Sequence, residues 1–351
     1  MRIVVNDIAA SSGGAMSVLK DFYSYIREKD TKNEWIFLLG DHYLEETPLI
    51  KVVILPEIKR SWARRFFFDI IFGKKFINSF EPDVVLSLQN IITIGVACPQ
   101  IVYIHQAIPF QNSKTFSFFR KNERVLAVYQ HFIGALIKLS ARRADKVVVQ
   151  TNWMKEAVCD RAGVKEDKVI VIPPSIDLKL DKRNRVSPKR NSFFYPTSDV
   201  IYKNNECAYE ATQILYSQGI RDFKLKMTLS ERHEGINTEF IGIIPREQVF
   251  YEYYKSTLIF PSYIESYSLP LMEARMAGAI VLASDCPFSR EVLNGYENAY
   301  LFDPFNPKEL ACLMEKVITS QIVKRNTNYR APAASKNDRL KSLIDFTKKL
   351  I

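Results

Sequence analysis

Short apolar runs alternate with longer amphipathic stretches along almost the whole chain. In the first half, Arg2–Val5, Glu34–Leu39, Val52–Leu55, Pro82–Leu88, Ile101–Ile104, Lys146–Gln150 and Lys168–Ile172 have strand length and strand composition. Between them, Ala15–Arg27, residues 60–77, Phe116–Arg143 and Asn152–Arg161 read as helices. The alternation resumes after a proline-bearing, basic stretch, Pro173–Asn191. Strands are predicted at Ser192–Ser198, Phe223–Leu229, Glu239–Gly242, Thr257–Phe260, Ala279–Ser284 and Ala299–Phe302. Helices are predicted at Asn204–Gln218, Pro245–Lys255, Pro270–Gly278, Phe288–Asn294, Pro307–Thr319 and Ser335–Leu350. Regular strand–helix alternation in two series predicts an α/β protein of two Rossmann-like, doubly wound domains facing across a cleft. The boundaries are drawn at 1–175, a linker at 176–191, 192–325, and a terminal helical segment at 326–351.

Composition narrows the setting. A chain of 351 residues with 47% apolar residues has enough to bury two cores. The net charge of +10 calls for an anionic partner: a phosphorylated substrate, an anionic membrane surface or nucleic acid. No nucleic-acid motif accompanies the charge, so no nucleic-acid partner is expected. The five cysteines (Cys98, Cys159, Cys207, Cys286, Cys312) are scattered and lack Cys-x-x-Cys spacing, which suits a reducing compartment and gives no structural zinc site. The chain enters a strand at MRIVV, so no signal peptide is expected, and no run has the length of a membrane span.

The chemistry concentrates in residues 257–285, TLIFPSYIESYSLPLMEARMAGAIVLASD. A strand leads into a polar loop, then into a helix that opens at Pro270 and stops near Gly278. Such a unit points free backbone N–H groups and a positive dipole end at the carboxyl edge of a parallel sheet, where a phosphate binds. Glu265 on the loop and Glu273 in the helix would repel a diphosphate, so they are suited to accepting hydrogen bonds from sugar hydroxyls. The alternative for the two glutamates is an ordinary helix start with solvated carboxylates. The run Phe260, Pro261, Ser262, Glu265, Tyr267, Leu269, Pro270, Glu273, Ala274, Ala277, Gly278, Ser284, Asp285 resembles, in register, the donor-site signature of retaining GT-B glycosyltransferases of family 4, with its Glu-x7-Glu pair. Ser266 and Ser268 stand where that signature commonly has glycines.

The resemblance implies roles for other positions. The Gly13-Gly14 turn after the first strand would face the cleft, although a plain tight turn reads equally well. His105, at the carboxyl end of a strand, would lie near the reacting carbon of the donor sugar; a satisfied loop histidine is the bland reading. Lys203 would reach the donor diphosphate. The arginine that usually accompanies it is missing, with Thr197-Ser198 in its place and Arg232 as a possible substitute. Ile243 would hold the nucleotide base through its backbone, and Ser266, Tyr267, Ser268 and Leu269 would line the diphosphate. The terminal helix would cross back to the first domain. The expected activity is retaining hexosyl transfer from a UDP- or GDP-linked sugar, by a front-face mechanism. No Asp-x-Asp occurs, so neither a metal nor any other cofactor is expected.

Residues 60–77, RSWARRFFFDIIFGKKFI, bear on the acceptor. On a helical wheel Trp62, Phe66, Ile70 and Ile77 share a face, with Arg60, Arg64 and Lys75 opposite and Phe68 and Phe72 off it. Together with Arg65, Phe67 and Lys74 they read either as an interfacial segment on anionic lipid or as a core helix with a basic solvated face. Phe116–Arg143 extends the same basic, aromatic character. The expectation is a cytoplasmic enzyme, peripheral on the inner face of the cell membrane. It would extend a lipid-linked glycan in surface-polysaccharide or lipopolysaccharide synthesis. A nucleotide-sugar epimerase of the same fold, and a degenerate transferase serving as a partner subunit, are the rival readings.

Overall fold

Neighbouring residues of the N-terminal strands enter two different cores. Ile3 and Val5, Trp35, Phe37 and Leu39, and Val84 and Leu86 pack on one side with Leu19, Phe22 and Ile26. Val4, Ile36, Leu38 and Val85 pack on the other with Phe68 and Ile77. This is the two-residue period of a sheet covered on both faces. The structure is a computed structural model that describes residues 1–10, 13–174, 189–230 and 235–326, without the side chains of 13–15 and 17. Arg232, most of the predicted linker and the predicted helix at Ser335–Leu350 lie outside the described residues.

The chain divides into two units between Ser175 and Ile176. The first holds β1 (Arg2–Asp7), β2 (Glu34–Leu39), β3 (Ile50–Ile54), β4 (Val84–Ser87), β5 (Gln100–Tyr103), β6 (Lys146–Val149) and β7 (Val169–Val171). They form one parallel sheet in the order β3-β2-β1-β4-β5-β6-β7. The second holds β8 (Ser192–Tyr195), β9 (Lys224–Met227), β10 (Thr238–Phe240), β11 (Thr257–Phe260), β12 (Val281–Ser284) and β13 (Ala299–Phe302). Its parallel order is β10-β9-β8-β11-β12-β13. Phe193, Phe194, Tyr195, Leu258, Ile259 and Phe260 of its central strands are fully buried. In each sheet the strand order reverses once, at β1/β4 and at β8/β11. There the connections leave to opposite sides and open a crevice at the carboxyl ends of the strands.

Three predicted elements differ in detail. Gly13 and Gly14 are the first residues of the helix Gly13–Lys29 rather than a turn before it. The segment at 60–77 is not one α-helix: Trp62–Phe67 is α-helical, Phe68–Phe72 is a π-turn and Gly73–Asn78 is α-helical again. The wider turn changes the helical phase. Phe68 is therefore buried, while Trp62, Phe66, Phe67, Ile71 and Phe72 are exposed, a different face from the one a regular wheel draws. The region at 116–143 repeats the pattern, with Arg124–Val128, a π-turn at Tyr129–Ile133 and Gly134–Arg143. A glycine follows each π-turn because the next layer is too close for a Cβ. At Gly73 it would meet Thr93 Cγ2 at 2.9 Å, and at Gly134 it would meet Pro109 Cβ at 2.9 Å.

Candidate functional site

In the C-terminal unit, the segments following β8 and β11 are joined directly at the strand reversal. Asn204, in a left-handed conformation at φ 58°, donates its carboxamide N–H groups to Pro304 O (2.6 Å) and Pro261 O (3.3 Å). Tyr263 N donates to Tyr202 O (3.1 Å). These contacts bring two residues 62 positions apart together: Lys203 Nζ donates to Glu265 Oε1 at 2.5 Å. Ser262 Oγ donates to the same oxygen at 2.9 Å. Burial pulls the Lys203 ammonium down, and the Glu265 carboxylate reverses the shift, leaving it above the usual lysine value. An ammonium has three N–H donors, and Glu265 uses one of them.

The helix Leu269–Met276 begins directly after this loop, with Pro270 in its first turn. Tyr267 and Ser268 are buried at the junction, Ser266 and Leu269 partly so. Ser268 has φ 69°, the conformation that a glycine adopts freely, so the position where the signature has glycine does require positive φ. Among the described residues its buried hydroxyl has no hydrogen-bond partner. Glu273 lies inside the helix, buried, and does not join the Lys203–Glu265 pair. Arg246 donates to its Oε1 at 2.7 Å and Tyr253 Oη to its Oε2 at 3.2 Å. Burial raises the Glu273 carboxyl above its usual value, opposed by Arg246 and Tyr253. Neither partner carried a local sequence signal, because both come from the helix Arg246–Lys255 rather than from the motif. Ile243, between β10 and that helix, is fully exposed. Thr197, in the place of the missing arginine, is buried and bonded to Asn205 and Thr228.

His105 belongs to the N-terminal unit, just beyond β5. Asn90, at the end of β4 with φ 69°, accepts the backbone N–H groups of His105 (2.8 Å) and Gln106 (3.0 Å) on Oδ1, and its Nδ2 lies 3.3 Å from His105 Nε2. Burial lowers the His105 pKa to about 4, so the ring is neutral. A cavity of about 600 Å³ opens here. Its floor is Asp7, Asp69, Gln89, Asn90, His105 and Gln106, from the carboxyl ends of β1, β4 and β5 and the first π-turn. Trp62, Phe66, Val128, Phe132 and Leu136 form apolar walls from the two π-turn segments. Asp69 accepts from Thr93 Oγ1 (2.9 Å) and from Gln89 Nε2 (3.1 and 3.2 Å), and burial raises its pKa to about 7 despite these bonds. Asp7 is raised to about 7 by burial too, with Lys59 opposing. Sequence reasoning missed Asn90, Asp7 and Asp69, because carboxylates on a strand end and inside an aromatic helix carry no motif.

Comparison with known proteins places this geometry. Residues 12–180 match the description Glycosyltransferase Family 4, and residues 210–334 match Glycosyl transferases group 1. The O-antigen chain mannosyltransferase RfbU of Salmonella typhimurium is 22% identical over 209 residues, which is 57% of this chain and 56% of that protein, so the match spans little more than half of either. Among solved structures, the lipopolysaccharide outer core galactosyltransferase WaaB is similar with a TM-score of 0.65 and 17% identity, covering 99% of this chain and 100% of that one. Anabaena Alr3699/HepE, in complex with UDP-glucose, is similar with a TM-score of 0.61 and 12% identity, covering 100% and 98%. With its two strand-reversal sites built as described and both halves matched by these models, the chain belongs to the GT-B glycosyltransferases of the group 1 and family 4 type.

Proposed function

We propose that the protein transfers a hexosyl group, with retention of anomeric configuration, from a nucleotide-sugar bound by the C-terminal unit to a lipid-linked glycan bound by the N-terminal unit. The observation that carries this reading is the Lys203–Glu265 pair at the β8/β11 reversal, beside the first turn of the helix bearing Glu273. In this reading the bond between the anomeric carbon and the diphosphate oxygen breaks, and its electron pair leaves with the diphosphate. The acceptor oxygen attacks from the same face, and its proton passes to the departing phosphate oxygen. Lys203 and the backbone N–H groups at Ser268–Leu269 stabilise the charge that develops on the leaving group, and no metal is assigned to this role. Glu265 accepts from hydroxyls of the transferred sugar, Glu273 from those of the ribose, and the backbone at Ile243 meets the base. His105 is assigned to the reacting carbon and Gly13-Gly14 to backbone N–H contacts with the donor, as the resemblance implies. The UDP-glucose in the HepE structure favours UDP over GDP as the carrier.

The acceptor's lipid would come from the inner face of the cell membrane. Among the described residues no helix is long and apolar enough to cross a membrane. A surface attachment is supported instead by exposed Trp62, Phe66, Phe67 and Phe72 beside exposed Arg60, Arg64, Lys74 and Lys75. Such cations contribute about 1 kcal/mol each at an anionic surface. Arg65, of the same segment, lines the cavity together with Trp62 and Phe66.

The test is thermal stabilisation of the purified protein by UDP and by GDP, with Glu273→Ala and EDTA controls. Ligand that binds only the folded state raises the melting temperature. Stabilisation by UDP that the mutation weakens and EDTA leaves unchanged is expected; no stabilisation by either nucleotide overturns the donor assignment. Co-sedimentation with anionic vesicles that is lost at high salt is the corresponding result for the surface.

A further inference from the structure

One side chain in the cavity of the N-terminal unit has chemistry that the sugar-binding floor does not use. Arg65 is the sole lysine or arginine among the lining residues. Its guanidinium lies 5.0 Å from the ring centroid of Trp62. It makes no hydrogen bond or ion pair among the described residues, and its Nε is buried without a partner. Asp69, one turn along, makes its hydrogen bonds to Thr93 and Gln89, and the Arg65 charge acts on it only through space, opposing the rise in its pKa. A guanidinium carries five N–H donors in a fork that matches phosphate oxygens, and a buried donor left without a partner, as Nε is here, is costly. The surroundings of Arg65 are apolar: Trp62 and Phe66 on its own helix, Val128, Phe132 and Leu136 on the opposite one. Trp62 packs edge-on to Tyr129 at 4.9 Å, so the two π-turn segments meet beside the arginine. Phe132, Phe66 and Trp62 are exposed at their outer sides, so the apolar wall continues to the protein surface.

An anion-seeking group, a hydrocarbon wall that reaches the surface and a hydroxyl-binding floor fit one class of ligand. We propose that the cavity binds an acceptor whose sugar is joined through a phosphate or diphosphate to a hydrocarbon chain, with Arg65 holding the phosphate and the aromatic wall the first part of the chain. The sugar lies toward Asp69, Asn90 and His105. This rests on the lipid-linked acceptor reading above and names the linkage that the site recognises. A glycolipid joined without phosphate, or a free sugar, would leave Arg65 unused.

The experiment uses short soluble probes and the full chain. Geranyl diphosphate, inorganic pyrophosphate and geraniol are each titrated while the indole N–H NMR signal of Trp62, assigned with Trp62→Phe, is followed. Geranyl diphosphate is expected to move that signal and to bind at least about tenfold more tightly than either fragment. Arg65→Gln is expected to lose about tenfold for geranyl diphosphate alone, with geraniol unchanged, and Lys20→Gln, at an exposed position away from the cavity lining, to behave as the parent. Arg65→Lys, which keeps the charge, retains most of the binding and guards against a folding defect in Arg65→Gln. Unchanged binding in Arg65→Gln, equal binding of pyrophosphate and geranyl diphosphate, or a Trp62 signal that does not move overturns the proposal. Loss of the probe in Glu273→Ala overturns it too, since the probe would then occupy the nucleotide site. Nucleotide stabilisation is measured separately, so failure of this assignment and failure of the donor assignment are told apart.

Discussion

The carboxamide of Asn90 decides which nitrogen of His105 carries the proton. Its Oδ1 is committed to two backbone N–H groups, so the atom 3.3 Å from His105 Nε2 is an amide nitrogen and donates. Nε2 therefore accepts, and the neutral ring carries its hydrogen on Nδ1. In Asn90→Asp the backbone contacts can persist, but a carboxylate oxygen faces Nε2 and demands a hydrogen there. The expected result is a His105 pKa raised from about 4 and a ring proton relocated to Nε2, both read by nitrogen NMR. If Nδ1–H is the donor at the reacting centre, kcat falls by about 10² or more, the usual cost of removing one positioned donor.

Arg246 keeps Glu273 in the form that accepts hydrogen bonds. Burial pushes this carboxyl up, and the guanidinium at 2.7 Å opposes that push. Removing the charge in Arg246→Ala raises the Glu273 pKa further. UDP binding in the variant is then weakened most at low pH and recovers as pH rises and the carboxylate forms. Calorimetric titration at successive pH values above the usual carboxylate range checks this; the parent should vary less.

Ser268 holds a positive φ at the helix start that glycine would hold without strain. Ser268→Gly is expected to stabilise the protein by about 1 kcal/mol, read as a higher urea midpoint. Nucleotide binding should be retained, since the backbone N–H groups keep their positions.

Asp69 makes stability depend on pH in a defined direction. Its folded pKa is about 7 against 3.8 for the free carboxyl, with burial the main cause. Between these values the folded state keeps a proton that the unfolded chain has released, so stability falls as pH rises from about 4 to about 7 and levels off above. Urea unfolding of the parent should show a loss between about pH 5 and pH 7.5 that Asp69→Asn reduces by roughly 2 kcal/mol. Asp7, shifted in the same direction, leaves a residual slope in the variant.

Lys203 and Glu265 should fail differently. Lys203→Gln removes a cation from the leaving group and is expected to lower kcat by about 10² to 10³, with weaker UDP binding. Glu265→Gln leaves the ammonium in place, so UDP binding should persist while turnover falls. Steady-state kinetics beside direct UDP titration separates the two.

The donor half of the site was legible because it is built within one local unit. Strand, loop and helix at 257–285 are consecutive, so Pro270 and Gly278 mark the ends of the helix, whereas the roles of Glu265 and Glu273 came from the resemblance and not from their spacing. The strands were legible for a related reason: a parallel sheet covered on both faces demands continuous apolar runs, and those runs stand out from amphipathic helices. Partnerships across the fold had no such signature. Arg246 meets Glu273 only because the helices Arg246–Lys255 and Leu269–Met276 are neighbours in space, and Lys203 reaches Glu265 only because the β8/β11 reversal sets their loops side by side. The two π-turns were hidden for a different reason. A regular helical wheel assumes a constant angle per residue, whereas the turn is wider where Gly73 lies close against Thr93 and Gly134 against Pro109. That change of phase buries Phe68 and leaves Phe66 and Trp62 exposed. Sequence alone determined the fold class and the strand–loop–helix unit at 257–285, because both follow from local periodicity and adjacent residues. The tertiary structure decided which charges pair and which aromatics are exposed, because those depend on contacts between segments far apart in the chain.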